Sequence, residues 1–149
     1  MASQPWRHGW GRRPPSIGAM GILSDDDITL LREPQLAHVA TVQVDGTPHV
    51  TPVWVDTDGE HILCNTAKGR VKYNNLVRNP AVAVSVVDRQ DDYRTLWVAG
   101  TAELIEEGAD PHIDMLAHKY LGAERYPFRQ EGEVRVIVQI TPTHKLGRG

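Results

Sequence analysis

Two runs rich in β-branched residues, AHVATVQV and PHVTPVWV, flank an Asp45-Gly46 pair, and this unit constrains the fold more than any other stretch. Asp-Gly supplies the positive φ angles of a tight two-residue turn, so the unit predicts an antiparallel hairpin. A second turn signal, Asp58-Gly59, leads into the strand HILCNT. Asn79-Pro80 then precedes AVAVSVV, whose unbroken apolar character predicts a central strand buried on both faces. LWVAGTAELI and VRVIVQITPTHK predict a fifth and a sixth strand, with Gly100 at a bend or bulge.

Helices are few and short. Ser24 is placed to N-cap a helix over DDDITLL, with acidic first-turn residues, a Leu23–Ile28 staple and an end near Glu33-Pro34. Asp110 as N-cap and Pro111 at the first position open a longer one. It carries Ile113, Leu116, Ala117, Tyr120 and Leu121 on one face and stops at Gly122. Six hairpin-linked strands with so little helix predict a mainly β protein, a closed six-stranded antiparallel barrel, because closure removes exposed sheet edges.

A chain of 149 residues is one domain by size. Residues 1–22 hold Trp6, Trp10, several Gly and three Pro without periodicity and read as a flexible or partner-draped arm, leaving residues 23–149 for the barrel. No apolar run approaches the roughly 20 residues of a membrane-spanning helix. Cys64 is the only cysteine, which excludes an internal disulfide and a cysteine-rich metal site, and the start lacks the apolar core of a secretory signal. A soluble, cytoplasmic protein is the expectation.

Between Glu60 and Asp88 this chain of net charge -3 has no carboxylate, yet Lys68, Arg70, Lys72 and Arg78 fall within AKGRVKYNNLVRNP. Placed at a strand-to-helix junction, such a cluster predicts an anion site, since the helix start adds free backbone N–H donors. Lys68, Lys72, Asn75 and Asn79 fall along one helical stripe, and Tyr73, Leu76, Val77 and Pro80 are expected to face the core. Arg supplies a planar fork and Lys a point charge, so Arg70-x-Lys72 suits a phosphate. The competing reading is a solvated basic helix face.

The short helix, the hairpin HVATVQVDGTPHVTPVWV, the strand HILCNT, KGRVKYNNLVRNPAVAVSV and LWVAGTAEL together resemble the pyridoxamine 5'-phosphate oxidase-like split-barrel superfamily. Within it the chain is most similar to the actinobacterial branch that uses the deazaflavin coenzyme F420. The likeness spans roughly residues 24–146 and is most specific at T-x-K-x-R-x-K-x-x-N-L-x-R-N-P, matched by Thr66, Lys68, Arg70, Lys72, Asn75, Leu76, Arg78, Asn79 and Pro80. The resemblance implies that Thr66, Lys68, Arg70, Val71 and Lys72, with Asn75, hold the cofactor's phosphate, and that Pro52, Val53 and Trp54 flank its ring. It also implies a homodimer with the site at the subunit interface, and hydride transfer to a small electron-poor organic acceptor such as an enone, quinone or tetrapyrrole. Surplus cations at Lys68 and Arg78 favour F420, with its longer anionic tail, over FMN. The alternatives are an FMN-dependent oxidase or reductase and a non-catalytic flavin- or haem-binding module. The arm of Trp6, Arg7, Trp10, Arg12 and Arg13 has no counterpart in this likeness.

Other chemistry has little support in the sequence. Seven histidines show no H-x-H or HExxH spacing, so no metal is expected, and no G-x-S-x-G turn marks a nucleophile. Trp54 and Trp97 read as core or subunit-contact residues. The acidic net charge argues against a nucleic-acid partner.

Overall fold

The computed structural model describes residues 22–147, so nearly all of the N-terminal arm lies outside the described residues. The chain runs α1 (Asp25–Arg32), β1 (Leu36–Val42), β2 (Pro48–Trp54), β3 (Asp56–Thr57), β4 (Ile62–Ala67), α2 (Val71–Arg78), β5 (Ala81–Asp88), β6 (Asp91–Ile105), α3 (Ala109–Leu121) and β7 (Arg135–Lys145). All pairings are antiparallel, in the order β2-β1-β5-β6-β7-β4-β3. The described residues therefore form seven strands rather than six, the short β3 being the addition. Among the described residues no ladder joins β2 and β3, the two ends of the order, so the barrel is split, as the family resemblance implies, and not closed as the strand pattern alone predicts.

Strand alternation places the core. Val82, Val84 and Val86 of β5 face inward with Val39, Val98 and Ile140, while Ala81 and Val87 are exposed. β5 is thus buried on one face, not both as its sequence predicts. Its outward positions are small or β-branched, and sequence alone does not separate such a face from a covered one. Leu30, Leu31 and Leu76 from α1 and α2 close this cluster.

Local signals explain most element ends. Ser24 and Asp27 form a reciprocal capping box at α1, each side chain accepting the other's backbone N–H at 3.1 and 2.9 Å. The β1–β2 turn has three residues, 44–46, between Gln43 and Thr47, not two. Gly46 N–H donates to Gln43 O, Gln43 N–H to Thr47 O, and Gly46 alone takes a positive φ, +87°. Asp45 stays in an ordinary conformation because its side chain accepts the Thr47 N–H at 2.9 Å. Gly108 (φ +78°) rather than Asp110 stands at the α3 cap position, and Leu121 is exposed, while Gly122 ends the helix as predicted.

Gly100 marks the predicted bulge, where the β6–β7 register shifts between Ala99 and Gly100. A Cβ there would collide with the Thr141 carbonyl, lying 2.9 Å from its carbon. Gly100→Ala is expected to destabilise the fold by about 1–3 kcal/mol, read as a lowered thermal midpoint with secondary structure retained.

α3 is fastened beside the seam. Lys119 Nζ donates to the carbonyls of Leu31 and Val55 at 2.8 and 2.6 Å. The Tyr120 hydroxyl donates to Gln35 O and accepts the Val55 N–H at 3.0 Å. These bonds tie α3 to the end of α1 and to the β2–β3 junction. No helix among the described residues is long and apolar enough to cross a membrane.

Candidate functional site

Where β2 and β4 fail to pair, the barrel opens into a groove of about 690 Å³. That is within the roughly 300–1,000 Å³ typical of sites for small organic ligands. β2 forms one wall, β4 and the start of α2 the other, and α3 with the segment before β7 the end.

The basic loop shapes one end. Ala67 O accepts the Arg70 N–H at 3.2 Å, and Gly69 takes φ +88° to complete the turn. Among the described residues no side chain caps α2, whose cap position is Arg70 itself, so its first-turn N–H groups are left for a ligand or solvent. Arg70 is half exposed and meets Glu133 at 3.5 Å. Lys72 is only 8% exposed and, among the described residues, has neither a hydrogen bond nor an ion pair. Burial holds its ammonium below the ordinary lysine range where it lines the groove.

Not every cation of the cluster is at this end. Lys68 pairs with Glu106 and does not line the groove. The Arg78 guanidinium donates to Val42 O. The counter-charges missing from the local sequence are supplied by Glu106 and Glu133, brought in by the fold. α2 is also rotated relative to the predicted stripe. Lys72, Asn75 and Leu76 face inward, Val77 is 62% exposed and Pro80 is exposed. Asn75 does not line the groove; its amide donates to Thr41 Oγ1 at 3.0 Å. The reason is that Leu76 must reach the core, and the residues one and four positions before it, Asn75 and Lys72, turn inward with it.

The other predicted positions are brought together. Pro52, Val53, Trp54, Thr66, Arg70, Val71 and Lys72 all line the groove. Trp54 stacks on Tyr120 with ring centres 5.3 Å apart and planes 11° off parallel, and meets Tyr126 edge-on at 6.1 Å. Trp54 is therefore part of an aromatic wall within its own chain.

Sequence reasoning missed several groove residues. His49 Nδ1 and Thr51 Oγ1, on the same face of β2, are buried with no hydrogen-bond partner among the described residues. Arg135 is almost fully buried, donates to Asn65 Oδ1 at 2.8 Å and to Glu133, and lies 5.1 Å over the Tyr126 ring. Asn65 passes the network to His112, donating to Nδ1 at 3.0 Å. Burial drives the His112 pKa down to about 3, so the ring is neutral. One signal was available: Arg135 is the lone cation at the head of an apolar strand. Among the described residues no cluster of His, Cys, Asp or Glu is arranged to hold a metal. Cys64 is buried, and burial raises its thiol pKa to about 11.

Fold and groove together define an antiparallel split-barrel protein with a basic pocket and an aromatic wall at its open seam. Residues 25–145 match the pyridoxamine 5'-phosphate oxidase family, and the chain belongs to that family. A solved structure described as an F420 reductase is 34% identical, with a TM-score of 0.71, and the match covers 79% of this chain and 94% of that one. A conserved hypothetical protein of Mycobacterium tuberculosis (23% identity, TM-score 0.64, 89% and 88% covered) shares the fold. So does General Stress Protein 26 of Bacillus anthracis (21% identity, TM-score 0.58, 79% and 87% covered). No curated protein matches the chain significantly.

Proposed function

We propose that the groove binds the deazaflavin coenzyme F420 and that the protein is an F420-dependent oxidoreductase. The observation that carries this reading is Lys72, a buried cation without a partner that lines a groove at an uncapped helix start. Leaving a charge so placed unanswered is costly, and a ligand anion answers it. Arg70 and Thr66 line the same end and add donors for a phosphate. The orphaned His49 Nδ1 and Thr51 Oγ1 fit polar substituents of a bound chain, and Trp54 with Pro52 and Val53 offers a flat flank for a ring. The 34% identical F420 reductase favours deazaflavin over FMN. Lys68 and Arg78, engaged elsewhere, do not add to that choice.

When bound, the reduced deazaflavin supplies a hydride. The chain's own part is to anchor the phosphate, orient the ring against the Trp54 wall and exclude water from an acceptor of the enone, quinone or tetrapyrrole class. The dimer belongs to the same proposal. A shallow apolar hollow on the outer sheet face, with Ala40, Ala83, Ser85, Trp97 and Leu146, suits a second copy. Titration of the purified protein with oxidised F420, FMN and haem, followed by absorbance and fluorescence, is expected to give tightest binding for F420, with light scattering of the same sample returning a dimer. Tight FMN binding with no affinity for F420 would make this an FMN-dependent oxidase or reductase. Binding without turnover would make it a carrier module.

A further inference from the structure

His49 Nδ1 is a buried nitrogen with no hydrogen-bond partner among the described residues, and its side chain lines the groove. Strand register fixes which end of the groove it serves. His49 stands opposite Thr41 on β1, and directly opposed residues of an antiparallel pair put their side chains on one face, about 5 Å apart. Thr41 Oγ1 in turn accepts the Asn75 amide at 3.0 Å, and Asn75 follows Lys72 by three residues on the inward face of α2. The imidazole is therefore at the α2 end of the groove. Trp54 is five residues further along β2, roughly 17 Å away in an extended strand. Thr51 lies between them on the His49 face, its Oγ1 also buried without a partner among the described residues.

We propose that His49 is a ligand of the cofactor's phosphate, donating from Nδ1 across the groove to the anion that Arg70 and Lys72 meet from α2. The inference rests on the reading of the groove as a cofactor site, and it assigns a residue of β2 to the anion end. Lys and Arg side chains only donate, a hydroxyl or a protonated imidazole nitrogen can do the same, and an ionised phosphate oxygen only accepts. Arg70, Lys72, Thr66 and His49 all line the groove, and α2 begins there with its first N–H groups uncapped. An acceptor-rich group answers donors from both walls at once. In the empty groove Nδ1 is an unmet polar atom, and with a phosphate in place it makes a charge-assisted bond. Thr51, nearer the ring end, is left for the chain that joins phosphate to ring. A ligand that lacks the phosphate gives His49 nothing to donate to.

FMN and riboflavin differ only in the phosphate, and F420 is compared in the same way with its deazaflavin cut off after the ribityl chain. In fluorescence titrations His49→Phe, which keeps a flat ring and removes Nδ1, is expected to weaken FMN and F420 about 10- to 100-fold, the worth of a hydrogen bond to a charged group. The two phosphate-free ligands are expected to change less than about twofold. His49→Asn puts an amide nitrogen near the place of Nδ1 and is expected to bind FMN and F420 at least about fivefold more tightly than His49→Phe does. Since Nδ1 has no partner in the empty groove, thermal melts of the ligand-free variants are expected to match the wild type. Equal weakening of ligands with and without phosphate would put His49 on the chain or the ring and overturn the inference, as would unchanged binding of all four. Either result leaves the cofactor reading intact while F420 binds the wild type. Failure of the wild type to bind any of the four would remove that reading and this inference with it.

Discussion

Lys72→Met is expected to weaken phosphate-ligand binding by about 10- to 100-fold, the 1.5–3 kcal/mol of a hydrogen bond to a charged group, while raising the stability of the ligand-free protein. The two signs differ because the ammonium is buried without a partner. In the empty groove it is a desolvated charge, and an apolar side chain of similar length removes that cost, about 1–2 kcal/mol. With ligand bound, the same charge is the group that meets the phosphate. Thermal melts without cofactor and titrations with it check the two halves separately. Arg70→Ala, by contrast, removes a half-exposed side chain and is expected to weaken binding without stabilising the fold. A Lys72→Met protein that lost stability and kept its affinity would make Lys72 part of the scaffold rather than of the site.

Tyr120→Phe is expected to destabilise the protein by about 2–4 kcal/mol, since the hydroxyl answers two backbone groups, the Gln35 carbonyl and the Val55 N–H, each worth about 1–3 kcal/mol when left unmet. Val55 is fully buried, so water does not substitute there. The Val55 carbonyl keeps Lys119 as its donor. The phenyl ring still supports Trp54 from a stacked position, so ligand affinity should change much less than stability. Chemical denaturation and cofactor titration of the same variant distinguish the two effects. An unchanged unfolding midpoint would show that the β2–β3 junction does not depend on this hydroxyl.

The sequence by itself determined six of the seven strands, the places where the chain turns and the excess of positive charge at one strand-to-helix junction. Asp45-Gly46 and the alternating runs around it encode a hairpin whatever surrounds them, Ser24 with Asp27 encodes a helix start, and the carboxylate-free stretch around Lys72 encodes an excess of positive charge. These are local properties of a few neighbouring residues. Tertiary structure alone decided which cations count. Lys68 and Lys72 are four residues apart on one predicted stripe, yet one faces Glu106 outside the groove and the other is buried within it. Lys68 lies in the turn before α2, where helical spacing does not apply, while Lys72 is carried inward on the face of α2 that buries Leu76. Glu133, Arg135 and His112 are distant in sequence from the basic loop and meet it only because β4 pairs with β7 and α3 packs over them. The seam itself is the clearest case. Whether a seven-stranded sheet closes or stays split depends on what fills the gap between its ends, and no local pattern records that Trp54, Tyr120 and Tyr126 occupy it.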